Sequence, residues 1–127
     1  MFKILAISSG GAIGALMRYY GSLLFSNLSK GIFPYGTMFV NLSGAFIIGL
    51  LWGIAEKGII SPNIRFFIFT GILGAFTTFS TYSLETVNLL RDNEIKFAIL
   101  NIIVSNISGI VLTFIGYIIC KGIYKIF

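Results

Sequence analysis

The 127-residue sequence contains no histidine, and Cys120 is its single cysteine. Its only acids are Glu56, Glu85, Asp92 and Glu94. Without imidazole there is no histidine base and no His-ligated metal or haem, and a lone thiol forms no disulfide within the chain. These absences remove most enzyme chemistry, and the chain is read as a non-enzyme. Charge of either sign is scarce: 10% of residues are charged, against about 25% in a soluble domain. There is no strand-like alternation, no low-complexity tract, no convincing internal repeat and no phosphate-binding loop.

What the sequence has instead is apolar side chain. Hydrophobic residues make up 57% and the mean hydropathy is +0.97. A chain this small has too much surface for its volume to bury that much apolar material inside itself, so its solvent is lipid. A span takes about 20 apolar residues, so four spans use about 80 and leave about 47 for connections and ends. No room remains among these residues for an appended soluble domain.

Four apolar segments are read at 4–25, 35–55, 64–90 and 97–120. Between them lie Ser26-Asn27-Leu28-Ser29-Lys30-Gly31, then Glu56-Lys57-Gly58 with Ser61-Pro62-Asn63, then Arg91-Asp92-Asn93-Glu94. These are polar, rich in turn formers and suited to a water interface. Helices rather than strands follow, because a helix satisfies its own backbone in lipid. The first segment is too long for a signal peptide, contains Arg18 and precedes no cleavage site followed by a soluble chain. The fold class is an all-α integral membrane protein with four transmembrane helices in a single domain.

The net charge of +5 reflects basic residues at span ends and implies no nucleic acid. With four spans, one side holds Lys3, Lys57, Arg65, Lys121 and Lys125, and the other Lys30, Arg91 and Lys96, with Arg18 near it. That asymmetry is too small to commit the chain to one orientation by the positive-inside rule. It permits insertion both ways and an antiparallel homodimer. Gly10, Gly14 and Ala15, then Gly49 and Gly53, form small-residue faces that let helices approach closely. They serve either packing within the chain or a dimer contact.

Polar residues inside the spans are costly and tend to be functional. Arg18 either snorkels to the interface or forms a positive vestibule. Asn41 is either interhelical glue or a donor to a passing solute. Asn101, Ser105 and Ser108 share one face of the fourth segment and form a polar track. The third segment holds six hydroxyl residues between Thr77 and Ser83, with Gly71 and Gly74 just before them. It is either a kinked helix or one broken near mid-membrane, and the break is favoured. Non-helical backbone at that depth needs cover from protein or a cavity. Its freed carbonyls suit a cation.

Three stretches then stand out together: Gly10-Gly11-Ala12-Ile13-Gly14-Ala15-Leu16-Met17-Arg18-Tyr19, Gly36-Thr37-Met38-Phe39-Val40-Asn41-Leu42-Ser43-Gly44, and Gly71-Ile72-Leu73-Gly74-Ala75-Phe76-Thr77-Thr78-Phe79-Ser80-Thr81-Tyr82. In order, spacing and placement the chain resembles the Fluc/CrcB family of bacterial fluoride channels over nearly its whole length. The resemblance implies an antiparallel, dual-topology homodimer in the plasma membrane with two pores, passing cytoplasmic fluoride out passively. It implies a structural Na+ at the dimer interface held by the Gly74 and Thr77 carbonyls. Asn41 would donate to fluoride, and Phe79 and Tyr82 would present ring edges. Ser80, Thr81, Ser105 and Asn101 would line the route, with Arg18 at a vestibule and Glu85 ordering the pore helix. The chain departs from the family pattern at Tyr82, where Phe is usual, at Ala75, where a second glycine is usual, and at Asn101, where Tyr is common. Some family members pair non-identical subunits. The rival readings are a small proton-coupled drug exporter, for which Glu85 is the sole in-membrane acid, and a non-transporting membrane subunit.

Overall fold

The computed structural model describes residues 1–28 and 31–126. Ser29 and Lys30 of the first connection, and the Lys125 side chain, lie outside the described residues. Among the described residues every regular element is helical: α1 (Phe2–Leu28), α2 (Tyr35–Ala55), α3 (Pro62–Arg65), a π-helical stretch (Phe66–Leu73), α4 (Gly74–Phe76), α5 (Phe79–Arg91) and α6 (Ile95–Ile126). The elements from α3 to α5 run on as one interrupted span, so the chain forms four long helical units.

Three of these units are long and apolar enough to cross a membrane: Tyr35–Ala55, Pro62–Arg91 and Ile95–Ile123. The fourth, α1, has the length at 27 residues but not the apolarity. Its small and polar residues explain the shortfall, and much of their polarity is spent locally. The Ser9 hydroxyl donates to the Leu5 carbonyl at 2.7 Å and the Ser22 hydroxyl to the Arg18 carbonyl at 2.7 Å, the back-bonding expected of serine within a helix.

The glycine faces pack within the chain. Helix α1 lies on the π-helical stretch, where Gly10 meets Gly71 so closely that a Cβ on Gly10 would come within 3.0 Å of the Gly71 Cα. Helix α2 lies on α6, where a Cβ on Gly49 would run into the Thr113 carbonyl and one on Gly116 into the Phe46 carbonyl. The Thr113 hydroxyl crosses the same contact to the Ala45 carbonyl at 2.9 Å. Close backbone approach of this kind is the main source of cohesion between helices in lipid, where apolar burial drives little.

The turn between α5 and α6 is built by Asn93, which sits in the left-handed region at φ 60°. Asparagine tolerates that conformation. The Glu94 N–H then reaches back to the Leu89 carbonyl at 2.8 Å and the Asn93 N–H to Leu90 at 3.2 Å, a helix-ending pattern that satisfies orphan carbonyls. The tight turn folds α6 antiparallel against α5 and so sets which side chains of the two helices meet.

Candidate functional site

The third span is broken at Thr77 and Thr78, whose backbones are extended (φ −80°, ψ 153° and φ −146°, ψ 118°). Local sequence favours this. Thr78 is an N-cap residue type for α5, and its Oγ1 accepts the Thr81 N–H at 3.2 Å. The hydroxyl also donates to Thr81 Oγ1 at 3.0 Å and lies 3.3 Å from Ser80 Oγ. Hydroxyl side chains are thereby competing with the helix for its own backbone donors.

Asn41 completes the break from α2. Its Oδ1 accepts the Thr78 N–H at 2.7 Å, and its Nδ2 donates to the Thr78 carbonyl at 3.0 Å. The side-chain amide therefore pairs with one peptide residue as a neighbouring strand would. The diversion has a consequence four residues back. In a continuous helix the Thr78 N–H would close on the Gly74 carbonyl and the Thr81 N–H on the Thr77 carbonyl. Both donors are taken, the first by Asn41 and the second by the Thr78 hydroxyl. Gly74 and Thr77 are thus among the residues at the break whose carbonyls lose their helical partners.

Thr78 is buried and stands between two cavities. One, of about 380 Å³, is lined by Asn41, Gly74, Thr77, Phe79, Ser105 and Thr113 among others. The other, of about 430 Å³, is lined by Arg18, Ser22, Thr37, Thr81 and Glu85 among others. Beside the break Phe79 is 77% exposed, with its ring centroid 5.6 Å from that of Tyr82 and the planes tilted by 47°. Gly74, Ser80 and Thr81 are exposed as well.

Glu85 receives the Thr37 hydroxyl at 2.7 Å on Oε1. Its Oε2 is buried without a hydrogen-bond partner among the described residues, which is expensive for a carboxylate oxygen. Glutamine keeps the acceptor for Thr37. On the fluoride-channel expectation drawn from the sequence resemblance, Glu85→Gln retains anion flux within about tenfold of the parent, the scale of one altered hydrogen bond. Loss of all transport together with loss of proton dependence would instead point to a proton-coupled exporter.

The polar track of the fourth segment divides. Asn101 is 2% exposed; its Nδ2 donates to Thr86 Oγ1 at 2.9 Å and its Oδ1 accepts the Ser105 hydroxyl at 3.2 Å. It joins α5 to α6, whereas Ser105 also faces the Asn41 cavity. Sequence reasoning passed over Thr78, Thr37, Thr86 and Asn106. The Thr-Thr-Phe-Ser-Thr run carried the signal for Thr78 as a cap. Thr37 acquires its partner only across helices, and Thr86 and Asn106 add cross-helix partners to bonds within their own helices. Among the described residues no group of three His, Cys, Asp or Glu side chains could hold a metal ion.

A family model described as CrcB-like protein, Camphor Resistance (CrcB), matches residues 5–117. The chain belongs to the CrcB family. It is similar to a protein of Parabacteroides distasonis named fluoride-specific ion channel FluC, 43% identical over 123 residues, covering 97% of this chain and 96% of that one. Proteins of the same name from Salinibacter ruber and Nitrosococcus oceani are 47% identical over 116 residues (91% of this chain, 87% of the relative) and 43% identical over 120 residues (94% and 96%). With its apolar helices and this CrcB membership, the chain is a multi-pass membrane protein. The broken third span and the Asn41–Thr78 pairing lie inside the matched residues.

Proposed function

We propose that this CrcB protein is a fluoride-selective channel that lets cytoplasmic fluoride leave a bacterial cell passively across the plasma membrane. The observation that carries the reading is the break itself: Asn41 holds Thr78 extended between two cavities, in a chain whose relatives are named fluoride-specific channels. Fluoride is small and strongly hydrated, so the route must replace its water with donors. The second N–H of Asn41, beyond the one spent on Thr78, is one. The hydroxyls of Ser80, Thr81 and Ser105 are others. The rings of Phe79 and Tyr82 offer positive edges to an anion, and Arg18 supplies a positive vestibule. Asn101 stands behind Ser105 and orients it, and Glu85 orders α5 through Thr37.

The working unit in this reading is an antiparallel dimer of two copies, with all four long helices of each crossing the membrane, α1 included. Lipid tolerates exposed irregular backbone and polar groups only where protein or a water-filled cavity covers them. The exposed break, with Gly74, Ser80 and Thr81 beside Phe79, therefore calls for a second copy over it. A paired homologous subunit would serve the same purpose. The donor set also fits a structural sodium ion. Gly74 and Thr77 would hold it through their freed carbonyls, and oxygen donors suit a hard cation. Its positive charge would offset the crowding of carbonyl dipoles where two breaks meet.

The test is efflux from liposomes containing the purified chain alone, with fluoride and chloride compared and a potassium ionophore balancing charge. Fluoride release with negligible chloride release is expected. No fluoride release from folded protein would defeat the reading of the chain alone as a channel.

A further inference from the structure

Asn106 has no role in the proposed fluoride route. It lies exposed on α6 among the exposed Ile102, Ile103, Ile107 and Ile110, where a carboxamide is costly in a membrane. Its Nδ2 lies 2.7 Å from the Ile102 carbonyl oxygen and 2.9 Å from the Tyr82 hydroxyl. A carbonyl oxygen only accepts, so the Ile102 contact fixes which end of the amide is the nitrogen. The Tyr82 oxygen therefore meets an N–H and must accept it. The phenol proton has no acceptor among the described residues, and it is free to donate elsewhere.

This arrangement differs from a phenol that simply adds bulk to a ring. Accepting a hydrogen bond polarises the hydroxyl and makes its own proton a stronger donor. Both hydrogens of the Asn106 nitrogen are committed, one to its own helix and one to Tyr82, so the amide is pre-organised. The tight turn at Asn93 brings these two residues opposite each other. The Tyr82 ring in turn lies against Phe79, which lines the Asn41 cavity.

We infer that the Tyr82 hydroxyl is an additional fluoride-binding donor, with Asn106 as its positioning residue. The inference rests on the reading that the Phe79–Tyr82 ring pair flanks the fluoride route. The ligand is a small, strongly hydrogen-bond-accepting halide. No proton is transferred; it stays on the phenol oxygen while the anion passes.

The experiment measures initial fluoride efflux from liposomes over a range of internal fluoride concentrations. It compares the parent, Tyr82→Phe, Asn106→Ala and the double variant, each checked for fold by its elution profile in detergent. Tyr82→Phe is expected to raise the half-saturating fluoride concentration about fivefold, the scale of one neutral hydrogen bond. Asn106→Ala raises it about two- to threefold in the parent and not at all in the Tyr82→Phe background. An unchanged half-saturating concentration in Tyr82→Phe overturns the inference. So does an Asn106→Ala shift of equal size in both backgrounds, or a fall in maximal rate alone, which is what a purely structural pair would give. Should Asn106→Ala fail to fold, Tyr82→Phe decides alone. A parent that releases no fluoride overturns the channel reading and this inference with it, whereas a conducting parent with unresponsive variants overturns only this one.

Discussion

Asn41→Ala is expected to cut fluoride efflux by about a hundredfold. The substitution removes both hydrogen bonds to Thr78 and leaves its N–H and carbonyl without those partners, at about 1–3 kcal/mol for each unsatisfied buried group. Interhelical hydrogen bonds in membranes average nearer 0.6 kcal/mol, so the stability loss should sit toward the low end while the loss of function remains large. The reason is conformational. Once released, the Thr78 N–H is free to close on the Gly74 carbonyl, which lengthens α4 and erases half of the break. Asn41→Asp keeps an acceptor for the Thr78 N–H and loses the donor to its carbonyl, so it should fall between parent and alanine. Efflux rates and hydrogen exchange at the Thr78 amide check this together. An alanine variant that conducts like the parent would show that the clamp is dispensable.

The second large effect is on assembly of the chain itself. Gly49→Ala should lower thermal stability in detergent by about 1–3 kcal/mol or prevent folding, the range for overfilling a packed contact. Its Cβ would run into the Thr113 carbonyl, which is backbone and cannot swing aside, and Gly116 makes the reciprocal approach to Phe46. The sign is diagnostic, because alanine in an uncrowded helix position is favoured over glycine by about 1 kcal/mol. Gly11→Ala supplies the control: nothing lies within 4 Å of a Cβ there, so it should be neutral or mildly stabilising. Stabilisation by Gly49→Ala would mean that α2 and α6 are not packed as described.

Much of this architecture is written in local chemistry, and the remainder is not. The second span, read at 35–55, matches α2 at both ends, because Pro34 stands before it and Glu56-Lys57-Gly58 follow. The fourth was read at 97–120, yet α6 runs Ile95–Ile126, since a helix continues through polar residues that no longer suit lipid. The first likewise extends beyond 4–25 to Phe2–Leu28, and its Gly, Ser and Arg content holds it below the apolarity of the others. The break in the third span was legible because hydroxyl residues crowd one turn. Its clamp was not, since Asn41 and Thr78 are 37 residues apart and only packing brings them together. The residues offered two roles for Asn41, glue or donor to a solute. The structure gives its amide a partner at Thr78 and leaves one N–H over. The small-residue faces of Gly10, Gly14, Gly49 and Gly53 resolve into contacts within the chain, because each meets backbone or a small side chain of a neighbouring helix.

The π-helical stretch Phe66–Leu73 had no advance signal at all, being a plain apolar run. A wide turn takes up residues that an ordinary helix would pass on to the next turn. It therefore works as a length adjuster ahead of two contacts that cannot move: Gly71, near its end, against Gly10, and Thr78 in the grasp of Asn41. Each residue of an α-helix turns the chain by about 100°. Deleting one residue upstream of Gly71 could be absorbed by tightening this stretch, with everything after it left in place. Deleting one between Gly71 and Thr78 could not. The third span thus tolerates changes in length on one flank and forbids them on the other, and insertions or deletions that survive in such a chain should fall before Gly71.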